Sequence, residues 1–153
     1  MAITNIKGRD MGLYIKRGAE HIRIGCSDSI SLKVDTEEVE TSCVASGNFK
    51  EFEPGDISWS LDVDGAIRQA TDAAGPPAQT DATDNVTAES LLDYQLAGTI
   101  LVARFSLGIG VGTARYEGNV FPTSNSLSGS RKEAGKFSTS LRGSGPLTKT
   151  IQA

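Results

Sequence analysis

The sequence has one histidine, two cysteines and one tryptophan in 153 residues, and aromatic side chains make up only 6% of it. From His21, Cys26 and Cys43 no nucleophile–base pair can be assembled, and the cysteines show neither a CxxC spacing nor a nearby His. The chain is therefore not read as an enzyme, and no metal or cofactor is expected. His21 alternates with Ile22, Arg23 and Ile24, which reads as the polar face of a strand rather than a catalytic base. The cysteines are read as reduced thiols, with a late pairing left open. There is no run of about 18 apolar residues, the length a membrane-crossing helix needs, so no membrane partner is expected. The first residues, MAITNIKGRDMG, hold no continuous apolar stretch of the kind a secretory leader uses, and synthesis in a cytoplasm is expected. On that basis the sequon Asn85-Val86-Thr87 is a chance match. A dinucleotide loop is missing too: Gly108-Ile109-Gly110-Val111-Gly112 would need glycine where Thr113 stands, and a helix where extended sequence follows.

What is present is charge of uneven sign. The net charge is −4, but residues 1–27 carry five basic and two acidic side chains, residues 28–93 three basic and fifteen acidic, and residues 94–153 seven basic and two acidic. An acidic middle between basic ends lacks the basic stripe of a nucleic-acid binder. It suits self-association, in which unlike surfaces of identical subunits meet.

Length sets one domain, 1–153, large enough to bury a core without disulfides. Strand signals occur at Leu13–Arg17, His21–Cys26 and Ile30–Val34, separated by polar and glycine turns. Residues 35–55, DTEEVETSCVASGNFKEFEPG, keep no long apolar period and are expected to be a long inter-strand loop with at most a short strand near Glu38–Cys43. Residues 69–86, broken by Gly75-Pro76-Pro77, are expected to be a surface loop. Thr87 is a fitting N-cap, and Ala88, Leu91, Leu92 and Leu96 follow at helical spacing to a stop at Gly98, giving one short helix over about 87–97. Strands return at Thr99–Leu107, Ala114–Ser128 and Lys136–Gly143, with 1–10 and 146–153 as terminal arms. The fold class expected is mainly β: two packed antiparallel sheets forming a sandwich or partly open barrel, flanked by that helix.

The clearest signal is Asp56-Ile57-Ser58-Trp59-Ser60-Leu61-Asp62-Val63-Asp64-Gly65. Strict alternation assigns Ile57, Trp59, Leu61 and Val63 to the core and sends Asp56, Asp62 and Asp64 to the other face. Carboxylates two apart on a strand face are ordinarily solvated. A sharper role for them has to come from the rest of the chain.

Taken in order, the acidic, Thr-bearing excursion, Pro54-Gly55 before ISWSLDVDG, the helix ending at Gly98, the apolar TILVARFSL and the closing Phe137-Ser138 … Gly143-Ser144-Gly145-Pro146-Leu147 resemble the tail tube proteins of long-tailed bacteriophages. The resemblance runs over residues 30–149. It implies a structural protein of the virion tail, made in the host bacterial cytoplasm, with a fold shared by contractile-tail and type VI secretion tubes. It further implies six-membered rings, joined through their inner sheets and stacked head to tail into a hollow tube that conducts DNA from capsid to host without binding it specifically. Tail terminator, tape measure and distal tail proteins are the implied partners.

Within such a tube, Asp56, Asp62 and Asp64 are candidates to face the lumen, because duplex DNA carries a phosphate charge about every 1.7 Å and an acidic wall leaves it free to slide. The excursion, through Glu37, Glu38, Glu40, Phe49, Glu51 and Phe52, is the candidate contact between rings, with aromatic anchors among charges. Two other readings stand beside this one: a type VI-like secretion tube subunit, and a monomeric β-sandwich ligand-binding module, for a carbohydrate for instance. The module needs a platform of exposed aromatics, whereas the alternation points Trp59 inward.

Overall fold

The computed structural model describes residues 5–24, 27–67, 70–71, 77–78, 88–108 and 110–152. A 3-10 turn at Gly8–Asp10 leads into β1 (Gly12–Arg17), β2 (Glu20–Arg23) and β3 (Ser27–Glu40). A second 3-10 turn, Val44–Ser46, precedes β4 (Phe52–Ala66). The two-residue strands β5 (Ala70–Thr71) and β6 (Pro77–Ala78) pair only with each other. Then come α1 (Ala88–Ala97), β7 (Leu101–Ser106), β8 (Ala114–Ser130) and β9 (Glu133–Ile151).

The other seven strands form one antiparallel sheet in the order β2-β1-β7-β8-β9-β4-β3, and its two edge strands do not meet, so the barrel stays open. The mainly β class with one helix is as expected, but the two expected sheets are two halves of one. The reason lies in β8 and β9, at 17 and 19 residues long enough to serve both. The first part of β8 pairs with β7 from Arg115 to Val120, and its remainder pairs with β9 alone. Register shifts at Glu117/Asn119 and Pro122/Ser124 add local twist and bend the strand there.

Inward side chains of both halves share one core. Leu13, Ile15, Ile22, Leu101, Ala103 and Phe105 come from the first half, and Trp59, Leu61, Val63, Phe137 and Leu141 from the second. Helix α1 adds Leu91, and polar groups fix its seat. The buried Thr139 hydroxyl donates to Asn125 Oδ1 at 2.6 Å, and Asn125 Nδ2 donates to Gln95 Oε1 at 2.6 Å and to the Leu91 carbonyl at 3.3 Å. The helix stops at Gly98, whose φ of 68° is the left-handed conformation glycine tolerates best. Leu96, expected on its apolar stripe, lies past the core edge and is exposed. Thr87, the expected N-cap, lies outside the described residues, as do Cys26 and most of 69–86.

Two expected irregular segments are strand. Residues 35–55 are largely a hairpin arm, with β3 and β4 paired out to Glu38↔Pro54 and Glu40↔Phe52, so only 41–51 form its tip. Apolar alternation is missing there because no core lies beneath the arm; its order comes from backbone pairing. The tail is likewise paired, Glu117↔Thr148 to Ala114↔Ile151, with Pro146 in the irregular stretch between Thr148 and Ser144 where its missing N–H interrupts no ladder bond. Gln152 extends the pairing, its N–H donating to the Thr113 carbonyl and its carbonyl accepting from the Gly112 N–H. At the other terminus, part of the expected arm 1–10 is the 3-10 turn.

Candidate channel face and assembly edges

Strand β4 turns Trp59, Leu61 and Val63 into the core. Ile57, expected with them, is 67% exposed, because the alternation continues into the hairpin arm after the core has ended. Asp56, Asp62 and Asp64 are all exposed on the opposite face of the strand.

Register shows what surrounds these carboxylates. Ser29, Asp64, Ser138 and Ser126 form one row across β3, β4, β9 and β8, and Ser31, Asp62, Ser140 and Ser124 the next. In the second row the Ser140 hydroxyl donates to Asp62 Oδ1 at 2.7 Å. A third row places Lys33, Ser60 and Arg142 side by side, and Lys136 lies beyond Ser138. The face is thus a field of hydroxyls in which two adjacent carboxylate rows lie between cations, rather than the purely acidic wall that β4 alone suggests. The sequence marks these polar residues strand by strand, as Ser-x-Ser spacing and the alternation of Ser138, Ser140 and Arg142 with apolar neighbours, but which of them meet across strands depends on register and is not legible there.

The non-core face of the other half is different. Arg104 Nη2 donates to Glu117 Oε2 at 3.3 Å, and His21 Nε2 lies 3.4 Å from Glu117 Oε1. Burial pushes the Glu117 carboxyl up, but the hydrogen bonds from His21 and Arg104 and their charges outweigh it and hold the group below its ordinary value. His21, expected as an exposed strand residue, has a side chain only 19% exposed, because its partner three strands along the face draws it in. Tyr14 and Arg115 line the same shallow depression, which is basic overall.

The hairpin arm carries every residue expected at a ring-to-ring contact: Glu37, Glu38, Glu40, Phe49, Glu51 and Phe52 are all exposed. At its tip, the exposed Cys43 has its thiol held below the ordinary value chiefly by a hydrogen bond with Ser46. Two strand edges next to the serine face have no strand partner among the described residues. One is the outer edge of β3, the other residues 121–130 of β8, beyond the last residue paired with β7.

No protein-family model and no curated protein sequence matches the chain. Solved structures do. The tail of an empty gene transfer agent (GTA) particle, determined with C6 symmetry, superposes with a TM-score of 0.74 at 16% identity, covering 94% of this chain and 98% of that one. The SPP1 tail tube gives 0.72 at 14% identity over 97% of this chain and 80% of that one. A chain of the anti-feeding prophage (AFP) baseplate gives 0.59 at 8% identity over 98% and 97%. The open seven-stranded sheet with its helix is therefore the fold of tail assemblies. More narrowly, it is the phage tail tube fold, the one the sequence resemblance implies.

Proposed function

We propose that this chain is a structural subunit of a phage-type tail tube, whose copies join edge to edge into six-membered rings and stack head to tail into a hollow conduit for DNA. The observation that carries the reading is the pair of open edges flanking the serine face. A 14-residue edge strand displays a row of unpaired N–H and C=O groups, a template for another strand that a monomer would have to cover or break up. The edge of β3 and the free half of β8 bound the same four-stranded half, so joining one to the other in neighbouring copies continues the sheet around a ring.

In such a ring the non-core face of β8-β9-β4-β3 points to the lumen, and Asp56, Asp62 and Asp64 with their serines form its wall. Hydroxyls and charges of both signs offer phosphates no continuous cationic track, so DNA passes without being held. The arm, with Glu37, Glu38, Glu40, Phe49, Glu51 and Phe52, reaches the adjacent ring. Tail terminator, tape measure and distal tail proteins are the partners at the ends and inside of such a tube. The tail resemblance of the sequence favours a virion over a secretion tube, and a carbohydrate module is disfavoured because Trp59 is only 4% exposed.

Negative-stain microscopy and sedimentation of the purified chain over a concentration series test the proposal. Rings or tubes of uniform diameter are expected. A compact monomer at every concentration and salt overturns it.

A further inference from the structure

We infer that the rings are held in one polarity by opposite ends of the subunit: the β3–β4 hairpin arm of one subunit, with an acidic stem and an apolar tip, seats on the cationic β8–β9 turn, Arg131 and Lys132, of a copy in the next ring. This rests on the stacked-ring reading and names the counter-surface that the hairpin arm meets.

Strand direction puts the two tips at opposite ends of the subunit. β4 runs from the arm at Phe52 to Ala66, where it pairs with Lys136, and β9 runs back from there toward the arm end. The β8–β9 turn at residues 131–132 therefore lies at the end away from the β3–β4 tip. At about 3.3 Å per residue the separation is roughly 60 Å. A subunit's two tips cannot meet each other.

The hairpin arm and the opposite turn each carry charge left unneutralised inside the subunit. Among the described residues Glu37, Glu38, Glu40, Glu51 and Glu53 have no ion-pair partner, and Lys50 is the one cation from Asp35 to Asp56. At the far end Arg131 and Lys132 are exposed and have no ion-pair partner among the described residues, while Glu133 is engaged by Lys136 at 4.0 Å. Val44 and Phe49, 102% and 82% exposed, give the tip of the acidic arm apolar surface to withdraw from water on seating. Tip against like tip brings charges of one sign together; only head-to-tail contact satisfies both ends. Single exposed pairs are weak, but copies fixed in a ring engage together, so their contributions accumulate.

The test compares the concentration needed for tube growth, by sedimentation and negative stain, among wild type, R131E/K132E, E37K/E38K, and the four substitutions combined. All lie on exposed residues, and thermal unfolding by circular dichroism checks that the fold persists. Each double variant should raise the threshold about tenfold or more while rings still form, and the combined reversal should recover most of that loss. Wild-type growth should weaken between about 0.1 M and about 1 M salt as the Debye length falls from roughly 10 Å to 3 Å. Tubes of R131E/K132E at the wild-type threshold, or no recovery in the combined variant, overturn the tip pairing and leave the tube reading standing. A wild-type chain that forms no rings at all overturns both.

Discussion

The indole N–H of Trp59 donates to the carbonyl oxygen of Gly145 at 3.0 Å, while the same ring lies over Gly143 so closely that a Cβ there would overlap it. The Gly118 backbone approaches the outer edge of the ring in the same way, with 2.6 Å between an added Cβ and Trp59 Cζ2. Three strands thus fit around one side chain: β4 supplies the indole, β9 the acceptor and one glycine, and β8 the other. The first glycine of the Gly-x-Gly-Pro-Leu sequence near the end of the chain has its physical reason here.

Trp59→Ala removes that ring and leaves a cavity, which should cost roughly 3–5 kcal/mol. Gly143→Ala should also destabilise, by about 1–3 kcal/mol, because the added methyl overlaps the indole. Urea unfolding of the two variants measures both. Wild-type stability in Gly143→Ala would mean the indole is not seated against this strand.

Glu117 gives the pH dependence a sign. Its carboxyl is held below the ordinary 4.5 in the folded chain, so the stability it contributes is present above that value and is lost as pH falls through the lower folded value. Glu117→Gln should lower stability at pH 7 by about 1 kcal/mol or less, the group being partly solvated, and the difference from wild type should close in acid. Denaturant midpoints on both sides of the window supply the comparison. A gap that stays constant with pH would remove the carboxylate from the account.

Deleting Ser46–Lys50 shortens the tip without touching the core, and loop length changes closure entropy only slowly. The variant is expected to stay folded, with thermal unfolding close to wild type, and to lose stacking. Tubes of normal length would place the ring contact elsewhere.

Asp62→Lys with Asp64→Lys raises the formal net charge of each subunit from −4 to zero and breaks the Ser140–Asp62 hydrogen bond. With this face toward the lumen, tubes should still form, and DNA ejection from particles carrying the variant should slow and gain salt dependence, because counterion release favours phosphate binding most at low salt. Ejection rates at two salt concentrations decide it. Wild-type rates from normal tails would put these carboxylates on the outside.

Much of the fold follows from local pattern. Period-two alternation marks Trp59, Leu61 and Val63 as inward, the helical spacing before Gly98 marks α1 to within a residue at its described start, and the glycines between β7 and β8 mark a turn, because each depends on neighbours within a few positions. The face carrying Asp56, Asp62 and Asp64 was legible for the same reason. Where alternation outlasts the core, as at Ile57, or where strands are held by backbone pairing with no core beneath them, as from Asp35 to Gly55, side-chain pattern carries no such information. Tertiary structure alone decided those places, and likewise the union of two half-sheets through β8 and β9. It also decided the rows that set Ser140 against Asp62 and Lys33 beside Ser60. Register between strands, and with it the meeting of His21 and Glu117 across 96 residues of sequence, is chosen by the whole folded chain and is written in no short stretch of it.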